Sequence, residues 1–231
     1  MRDEELPDLD DDFDEDDIRD DDDVDMDDDP DEDDLSQDGG HKTAIIVVDV
    51  QRDFCEGGSM GVAGGADVAA EITELLRDSG DDYDYIVATR DWHLDPGEHF
   101  SDKPDFVDSW PRHCVVGTEG AEFHPNFDPS LVEAVFDKGA HEAAYSGFEG
   151  LCDTQNLADW LEERGVTKVD VVGIATDHCV RATAMDAASN GFVTTVLLDL
   201  TAGVAQGTTD KALRQLRDAG VSLVGTPVIG G

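Results

Sequence analysis

The sequence predicts an α/β fold of three layers, α-β-α, with a central, mostly parallel sheet of about six strands. Short apolar runs rich in Val and Ile alternate along the chain with longer stretches of helical pattern. The runs are apolar throughout, as expected of strands that are buried on both faces by helices. The carboxyl ends of such strands meet at one edge of the sheet, where open α/β sheets bind ligands.

Six runs are predicted as strands: 44–48, 85–88, 131–136, 169–174, 193–198 and 221–224. Four intervening stretches are predicted as helices: 66–78, 154–164, 179–190 and 208–218. Gly65 or Asp67 could begin the first helix, and Thr208 or Thr209 could cap the last. There is no internal repeat and no G-x-G-x-x-G fingerprint, so no dinucleotide cofactor is expected.

The charge is strongly acidic and unevenly distributed. The chain has 57 acidic and 15 basic residues, and residues 1–40 alone contain 24 acidic and 2 basic ones. This segment has too little apolar content to offset its ordering entropy, so a disordered tail is expected at 1–40 and a folded domain at 41–231. The tail is either a solvated, charged extension that binds nothing or a docking arm for a basic partner.

The charge also excludes classes of partner. Nucleic acid and anionic lipid would be repelled, and no apolar run is long enough to cross a membrane. The start of the chain lacks the basic and apolar regions of a secretory signal. Residues 41–231 still contain 33 acidic and 13 basic residues, so we expect a salt-adapted protein of the kind that halophiles make.

Three chemically reactive side chains follow predicted strands. Asp49 follows the first strand, Lys138 the third, and Cys179 the run that ends at residue 174. A cysteine at the start of a helix is favoured as a thiolate by the helix dipole, and a carboxylate and an ammonium could serve as base and charge partner. A buried, inert cysteine and a turn aspartate are the alternatives.

A second cluster follows the second strand. Asp91 and His93 are two residues apart, so in an extended segment they point to the same side, and His99 and His113 follow in a loop rich in Pro and Gly. A carboxylate with imidazoles suits zinc, iron(II) or manganese(II). The alternative is three exposed loop histidines.

From about residue 43 to residue 224, the chain resembles nicotinamidases (pyrazinamidases) of the isochorismatase-like cysteine hydrolase superfamily. The matching stretches are 48–59 (VDVQRDFCEGGS), 91–100 (DWHLDPGEHF), 110–114 (WPRHC), 135–139 (VFDKG), 145–148 (YSGF) and 173–180 (GIATDHCV). They occur in the order and spacing of the family. Where the family more often has Asn and a second Pro, this chain has Arg52 and Arg112, which bears on substrate selectivity rather than on the chemistry.

The resemblance implies a role for each matching residue. The catalytic triad would be Asp49, Lys138 and Cys179, and the metal ligands would be Asp91, His93, His99 and His113. The Ile174–Ala175 bond would be cis, and the N–H groups of Ala175 and Cys179 would form an oxyanion hole. Phe54, Trp110, Tyr145 and Ile174 would line the substrate pocket.

The implied reaction is hydrolysis of nicotinamide to nicotinate and ammonia through a Cys179 thioester, in NAD salvage, with pyrazinamide as a second substrate. The metal would either orient the ring nitrogen of the substrate or assist the hydrolytic water, and the sequence leaves both open. Related hydrolases of N-carbamoyl compounds, ureidoacrylate or isochorismate generally lack the Asp-x-His and later histidines. Another alternative is a binding protein whose enzyme domain has lost its activity. Such a protein would lack some of the triad or metal-binding residues, and all of them are present here.

The remaining cysteines indicate the compartment in which the protein works. Cys55, Cys114 and Cys152 have no C-x-x-C spacing and do not form a disulfide framework, which together with a free Cys179 favours a reducing cytoplasm. His178 beside Cys179 is expected to have a structural or pocket-rim role because adjacent helical residues point about 100° apart. A homo-oligomer is compatible with the sequence, which fixes neither the oligomeric state nor the metal.

Overall fold

The computed structural model describes residues 41–230; the predicted acidic tail lies outside them. Nine strands form one sheet: β1 Lys42–Val48, β2 Tyr85–Asp91, β3 Ala134–Lys138, β4 Leu151–Cys152, β5 Gln155–Asn156, β6 Val166–Ile174, β7 Val193–Gly203, β8 Ser222–Val224 and β9 Val228–Ile229. Four α-helices connect them: α1 Gly65–Ser79, α2 Leu157–Glu163, α3 Arg181–Ser189 and α4 Gln206–Asp218. None of the helices between residues 41 and 230 is long and apolar enough to cross a membrane.

The strand order is β5-β4-β3-β2-β1-β6-β7-β8, with β9 paired to β7. Every pairing is parallel except β3 with β4 and β4 with β5. Each of the six predicted strands corresponds to an observed one. The predicted number of about six is too low because β4, β5 and β9 have two residues each, too few for any hydrophobic period.

Helices cover both faces of the sheet, which gives the predicted three layers. Alternate residues of β1 face opposite sides: Ile45 and Val47 pack with the buried face of α1, whereas Ala44 and Ile46 pack with residues of α2, α3 and α4. All four β1 residues are fully buried. This burial on both faces explains the continuous apolar run in the sequence.

Several element ends differ from the prediction for local reasons. Strand β3 begins three residues later than predicted because Asp128 caps a short 3-10 turn, Pro129–Leu131. Helix α2 begins at Leu157, where the Asn156 side chain accepts a hydrogen bond from the N–H of Asp159. Helix α4 begins at Gln206, ahead of the predicted threonine caps, and Ala205 is its N-cap.

Helix α1 begins at Gly65, one of the two predicted starts, whereas α3 begins later than predicted. Gly64, with φ of 84°, is the N-cap of α1, and the helix begins at Gly65. The α-helix predicted from residue 179 begins at Arg181, because Thr176–Val180 forms a π-helical turn first. Cys179 therefore lies inside this turn, between β6 and α3.

Candidate active site

The carboxyl ends of four adjacent strands bring together the reactive side chains. Asp49 follows β1, Asp91 ends β2, Lys138 ends β3, and Cys179 follows β6. The parallel register aligns these ends, since Val48 pairs with Thr89 and with Gly173, while Asp91 pairs with Lys138. All four side chains are buried.

The Lys138 ammonium is the centre of the cluster. Its Nζ lies 2.9 Å from Oδ2 of Asp49 and 3.8 Å from Sγ of Cys179, and it donates a hydrogen bond to Oδ1 of Asp91. Burial alone would lower the pKa of Lys138, but the two carboxylates raise it well above its ordinary value. The ammonium therefore stays charged and compensates the carboxylates around it.

Asp49 has the properties of a base. Burial is the largest effect and raises the pKa of Asp49, although Lys138 opposes the rise. Thr89 Oγ1 donates a hydrogen bond of 2.7 Å to Oδ1, which orients the carboxylate. The backbone φ of Asp49 is 49°, in the left-handed region that non-glycine residues seldom adopt and that is over-represented at functional sites.

Cys179 is a thiol in the resting site. Burial raises its pKa well above the ordinary value, Lys138 lowers it less, and Asp49 and Asp91 raise it further. Burial and the two carboxylates therefore oppose the thiolate predicted from the sequence, and Lys138 is the neighbour that favours it. Asp49 and the Cys179 sulfur contact the same Lys138 ammonium, so Asp49 is the neighbouring carboxylate that could remove the thiol proton.

Beside this cluster, three imidazoles converge. Ring nitrogens of His93, His99 and His113 all lie within 4.8 Å of one another. Oδ2 of Asp91 lies 3.5 Å from Nε2 of both His93 and His113. Nδ1 of His93 and Nδ1 of His113 contact the carbonyls of Gly139 (2.5 Å) and Pro111 (2.8 Å), which places the proton on Nδ1 and leaves the Nε2 lone pairs directed at the cluster.

These residues fit a divalent metal. Nε2 of His93 and Nδ1 of His99 are buried and lack any hydrogen-bond partner among residues 41–230, which is costly unless something else binds them. Burial, followed by the neighbouring His113 and His93, lowers the pKa of His99 to about 4, so its imidazole is neutral at neutral pH. Neutral imidazoles with a carboxylate are ligands of zinc and similar ions.

A pocket opens onto both clusters. It is lined by Phe54, Trp110, Tyr145 and Ile174, together with Cys179 and His99. Trp110 Nε1 donates a hydrogen bond of 2.8 Å to the Tyr145 hydroxyl, which fixes both rings. The Ile174–Ala175 peptide at the pocket floor is cis.

His178 lines the same pocket and packs edge-on against Trp110, with ring centroids 5.4 Å apart. This is the rim position expected from its place beside Cys179. Met60, Val62 and Val204 also line the pocket and were not identified from the sequence. They are apolar residues of loops, where no periodic pattern separates a pocket wall from ordinary packing.

Two supporting residues escaped sequence reasoning. Gln51 is fully buried and holds the backbone of Asp91, since its Oε1 accepts from the Asp91 N–H and its Nε2 donates to the Asp91 carbonyl, both at 2.8 Å. Gly139 has φ of 75°, and a Cβ there would lie 2.6 Å from Cε1 of His93. Each is next to a motif residue, but its role depends on contacts with residues far away along the chain.

Neither Arg52 nor Arg112 lines the pocket. Arg52 is exposed, and the Arg112 guanidinium lies 5.1 Å from the ring centroid of Phe100. The two departures from the family pattern are therefore outside the cavity.

Comparison with known proteins gives a consistent result. The family model described as the isochorismatase domain matches residues 43–227. A nicotinamidase/pyrazinamidase of Mycobacterium tuberculosis is 59% identical over 182 residues, which are 78% of this chain and 97% of that protein.

Solved structures agree in fold. The pyrazinamidase of Pyrococcus horikoshii in complex with zinc has a TM-score of 0.68 and 38% identity, over 79% of this chain and 98% of that one. The protein PnC1 of L. infantum, in complex with nicotinate, has a TM-score of 0.70 and 36% identity, over 80% of this chain and 92% of that one. The chain belongs to the isochorismatase family, and the relatives it resembles there are nicotinamidases and pyrazinamidases.

Proposed function

We propose that this chain hydrolyses nicotinamide to nicotinate and ammonia, and pyrazinamide likewise, with Cys179 as the nucleophile. The observation that carries the proposal is the buried ammonium of Lys138, which contacts Asp49, Asp91 and Cys179. The nicotinamidase relatives and the nicotinate-bound neighbour support the identity of the substrate.

The first half of the reaction forms a thioester. Asp49 takes the Cys179 proton while sulfur attacks the carboxamide carbon, and the neighbouring Lys138 charge stabilises the thiolate as it forms. The N–H groups of Ala175 and Cys179 then meet the oxyanion, each donor worth about 3 kcal/mol in comparable sites. Asp49 returns the proton to the departing nitrogen, so ammonia leaves and the acyl group stays on sulfur.

The second half consumes water. Asp49, again ionised, removes a proton from a water molecule whose oxygen attacks the thioester carbonyl. Collapse of the tetrahedral intermediate breaks the C–S bond, releases nicotinate and returns the proton to sulfur. The raised pKa of Asp49 suits a group that both accepts and returns a proton near neutral pH.

The metal ligands in this proposal are Asp91, His93, His99 and His113. These residues would hold a divalent ion, whose positive charge would help to orient the pyridine ring of the substrate. Phe54 and Trp110 provide the ring faces, and Tyr145 holds Trp110 in place.

The setting that suits this chemistry is a reducing cytoplasm, where the reaction would serve NAD salvage. Cys55, Cys114, Cys152 and Cys179 are all free thiols. We propose residues 41–231 as the catalytic unit and 1–40 as an acidic extension, with a small molecule as the ligand of the site rather than nucleic acid or membrane.

The test is release of ammonia and nicotinate from nicotinamide in molar KCl. We expect turnover by the wild type and none by Cys179→Ala, while Cys152→Ala, a half-buried thiol outside the pocket, keeps wild-type activity. Absence of turnover by a folded, metal-loaded wild type would reject the function.

A further inference from the structure

A second cavity of about 360 Å³ adjoins the reaction pocket. Tyr145 and His178 line both cavities, so these two side chains form the partition between them. The partition is braced by Trp110, which bonds to Tyr145 at 2.8 Å and packs edge-on against His178. A molecule in the second cavity would therefore lie one side chain away from the reacting groups.

The second cavity has a cationic side. Arg181 and Lys211 both line it, in a domain that has 33 acidic and only 13 basic residues. Neither forms a salt bridge with any carboxylate between residues 41 and 230. Arg181 donates to Oε1 of Gln215 at 2.9 Å, but its Nε is buried and has no acceptor in that part of the chain.

One carboxylate, Asp177, also lines the cavity, and its oxygens already have hydrogen-bond donors. It accepts hydrogen bonds from the Val204 N–H at 3.0 Å and from the Thr208 hydroxyl, and it lies 3.3 Å from Nδ1 of His178. The cationic donors of the cavity are those of Arg181 and Lys211, which suit an anion.

The lining of the second cavity also includes apolar side chains. Phe106 and Val107 line the cavity although they are 59% and 70% exposed. They are held there because the Asp105 carboxylate accepts hydrogen bonds from the N–H groups of Val107, Asp108 and Ser109. Exposed apolar side chains on a fixed turn offer a surface for a flat ring.

We propose that this cavity is a second ligand site that binds an aromatic carboxylate, the product of the reaction, with the ring against Phe106 and Val107 and the carboxylate toward Arg181 and Lys211. The identity of this ligand rests on the proposed function, in which a neutral amide becomes an anion. The site then discriminates product from substrate by charge, and its occupancy beside Tyr145 and His178 makes the product an inhibitor that does not simply compete with substrate.

The experiment is a titration of the full-length, metal-loaded chain with nicotinate, nicotinamide and acetate. Equilibrium dialysis measures the number of molecules bound, and NMR of the arginine and glutamine side chains shows where they bind. We expect two equivalents of nicotinate, with the Arg181 and Gln215 signals shifting for nicotinate only. Arg181→Gln and Lys211→Gln should each weaken the second equivalent by about three- to tenfold, as for partly exposed charge pairs, and leave turnover of nicotinamide unchanged.

Lys168→Gln is the matched control, because it removes the same charge at the exposed amino-terminal part of β6, the opposite end from Cys179. A single equivalent of nicotinate, equal binding of acetate at the second site, or an equal effect of all three variants would overturn the proposal. The NMR signals of Arg181 and Gln215 report binding in the second cavity directly. The titration would therefore still test the second site if the chain did not hydrolyse nicotinamide. Lys211 is exposed, so its variant keeps the test valid if Arg181→Gln does not fold.

Discussion

At the scale of single residues, each reacting group is held by a neighbour that does not itself react. The Asp49 carboxylate is oriented by the Thr89 hydroxyl, and the backbone of Asp91 is held by Gln51. Both supporting side chains are fully buried polar groups that form hydrogen bonds with site residues. Their positions were not predicted, because a buried threonine in a strand has the same sequence pattern whether or not it faces a catalytic group.

The contribution of Thr89 is testable with an isosteric change. In Thr89→Val the Asp49 carboxylate loses a charge-assisted hydrogen bond worth about 1.5–3 kcal/mol, so kcat should fall by roughly ten- to a hundredfold with little change in KM. Steady-state kinetics with nicotinamide measures both constants. Thr89→Ser keeps the hydroxyl and should restore most of the rate; an equal loss in both variants would mean that Thr89 acts only through packing.

The ionisation of Asp177 leads to a prediction about the stability of the fold in acid. Burial opposes its ionisation, but the neighbouring His178 ring and the hydrogen bonds from Thr208 and the Val204 N–H lower its pKa to about 2. An unfolded aspartate has a pKa of about 3.9, so the carboxylate stabilises the fold above that value, and this contribution is lost as the pH falls from about 4 to about 2.

Asp177→Asn should therefore lower the free energy of unfolding at neutral pH by about 1–3 kcal/mol. The difference from wild type should shrink as the pH falls through that window, as measured by denaturant titration at a series of pH values. Asp218→Asn, at an exposed position at the end of α4, is the control and should give a difference that stays small throughout. A constant deficit in Asp177→Asn at every pH would contradict the assigned ionisation.

At the scale of secondary-structure elements, the carboxyl ends of the strands determine where the site residues lie. The runs that form β1, β2 and β6 were predictable because apolar residues dominate them, and the alignment of Asp49, Asp91 and Lys138 follows from a parallel register. The π-helical turn Thr176–Val180 was not predictable, because its sequence continues the helical pattern of α3. That turn is what places Cys179 in the buried cluster.

The turn after β3 gives a prediction for metal binding. In Gly139→Ala the new Cβ would lie 2.6 Å from Cε1 of His93, and the left-handed φ of 75° adds about 1–2 kcal/mol of backbone strain. We expect loss of bound metal and of activity, measured by elemental analysis after gel filtration.

Gly165→Ala is the matched control because its φ is 73° and a Cβ at this position would meet nothing within 4 Å. It should lose stability to a similar extent but keep its metal. Full metal content in folded Gly139→Ala would show that His93 does not depend on this glycine.

At the scale of the whole molecule, we expect the acidic charge to make stability depend on salt. Residues 41–231 contain 33 acidic and 13 basic residues, and the only acidic-to-basic ion pairs between residues 41 and 230 that lie outside the site, setting histidines aside, are Arg77–Asp128 and Arg90–Asp137. Most carboxylates are thus uncompensated and repel one another at low ionic strength. The sequence alone predicted this property, since it depends on composition rather than on contacts.

We therefore expect the melting temperature to rise by at least about 5 °C between dilute buffer and molar KCl, where the Debye length is about 3 Å. Circular dichroism of the metal-loaded protein measures the shift. Titration with sucrose in dilute buffer separates general solute effects from screening and should give a smaller rise. An unchanged melting temperature would refute salt adaptation.

In the proposed mechanism, Cys179 carries the acyl group between two half-reactions. Intact and peptide mass spectrometry of the wild-type enzyme, acid-quenched during turnover of nicotinamide, would detect this intermediate. We expect a nicotinoyl adduct on the peptide that contains Cys179, which disappears when substrate is exhausted and does not form on Cys179→Ala. Continued release of nicotinate by Cys179→Ala, or an adduct on another residue, would contradict it.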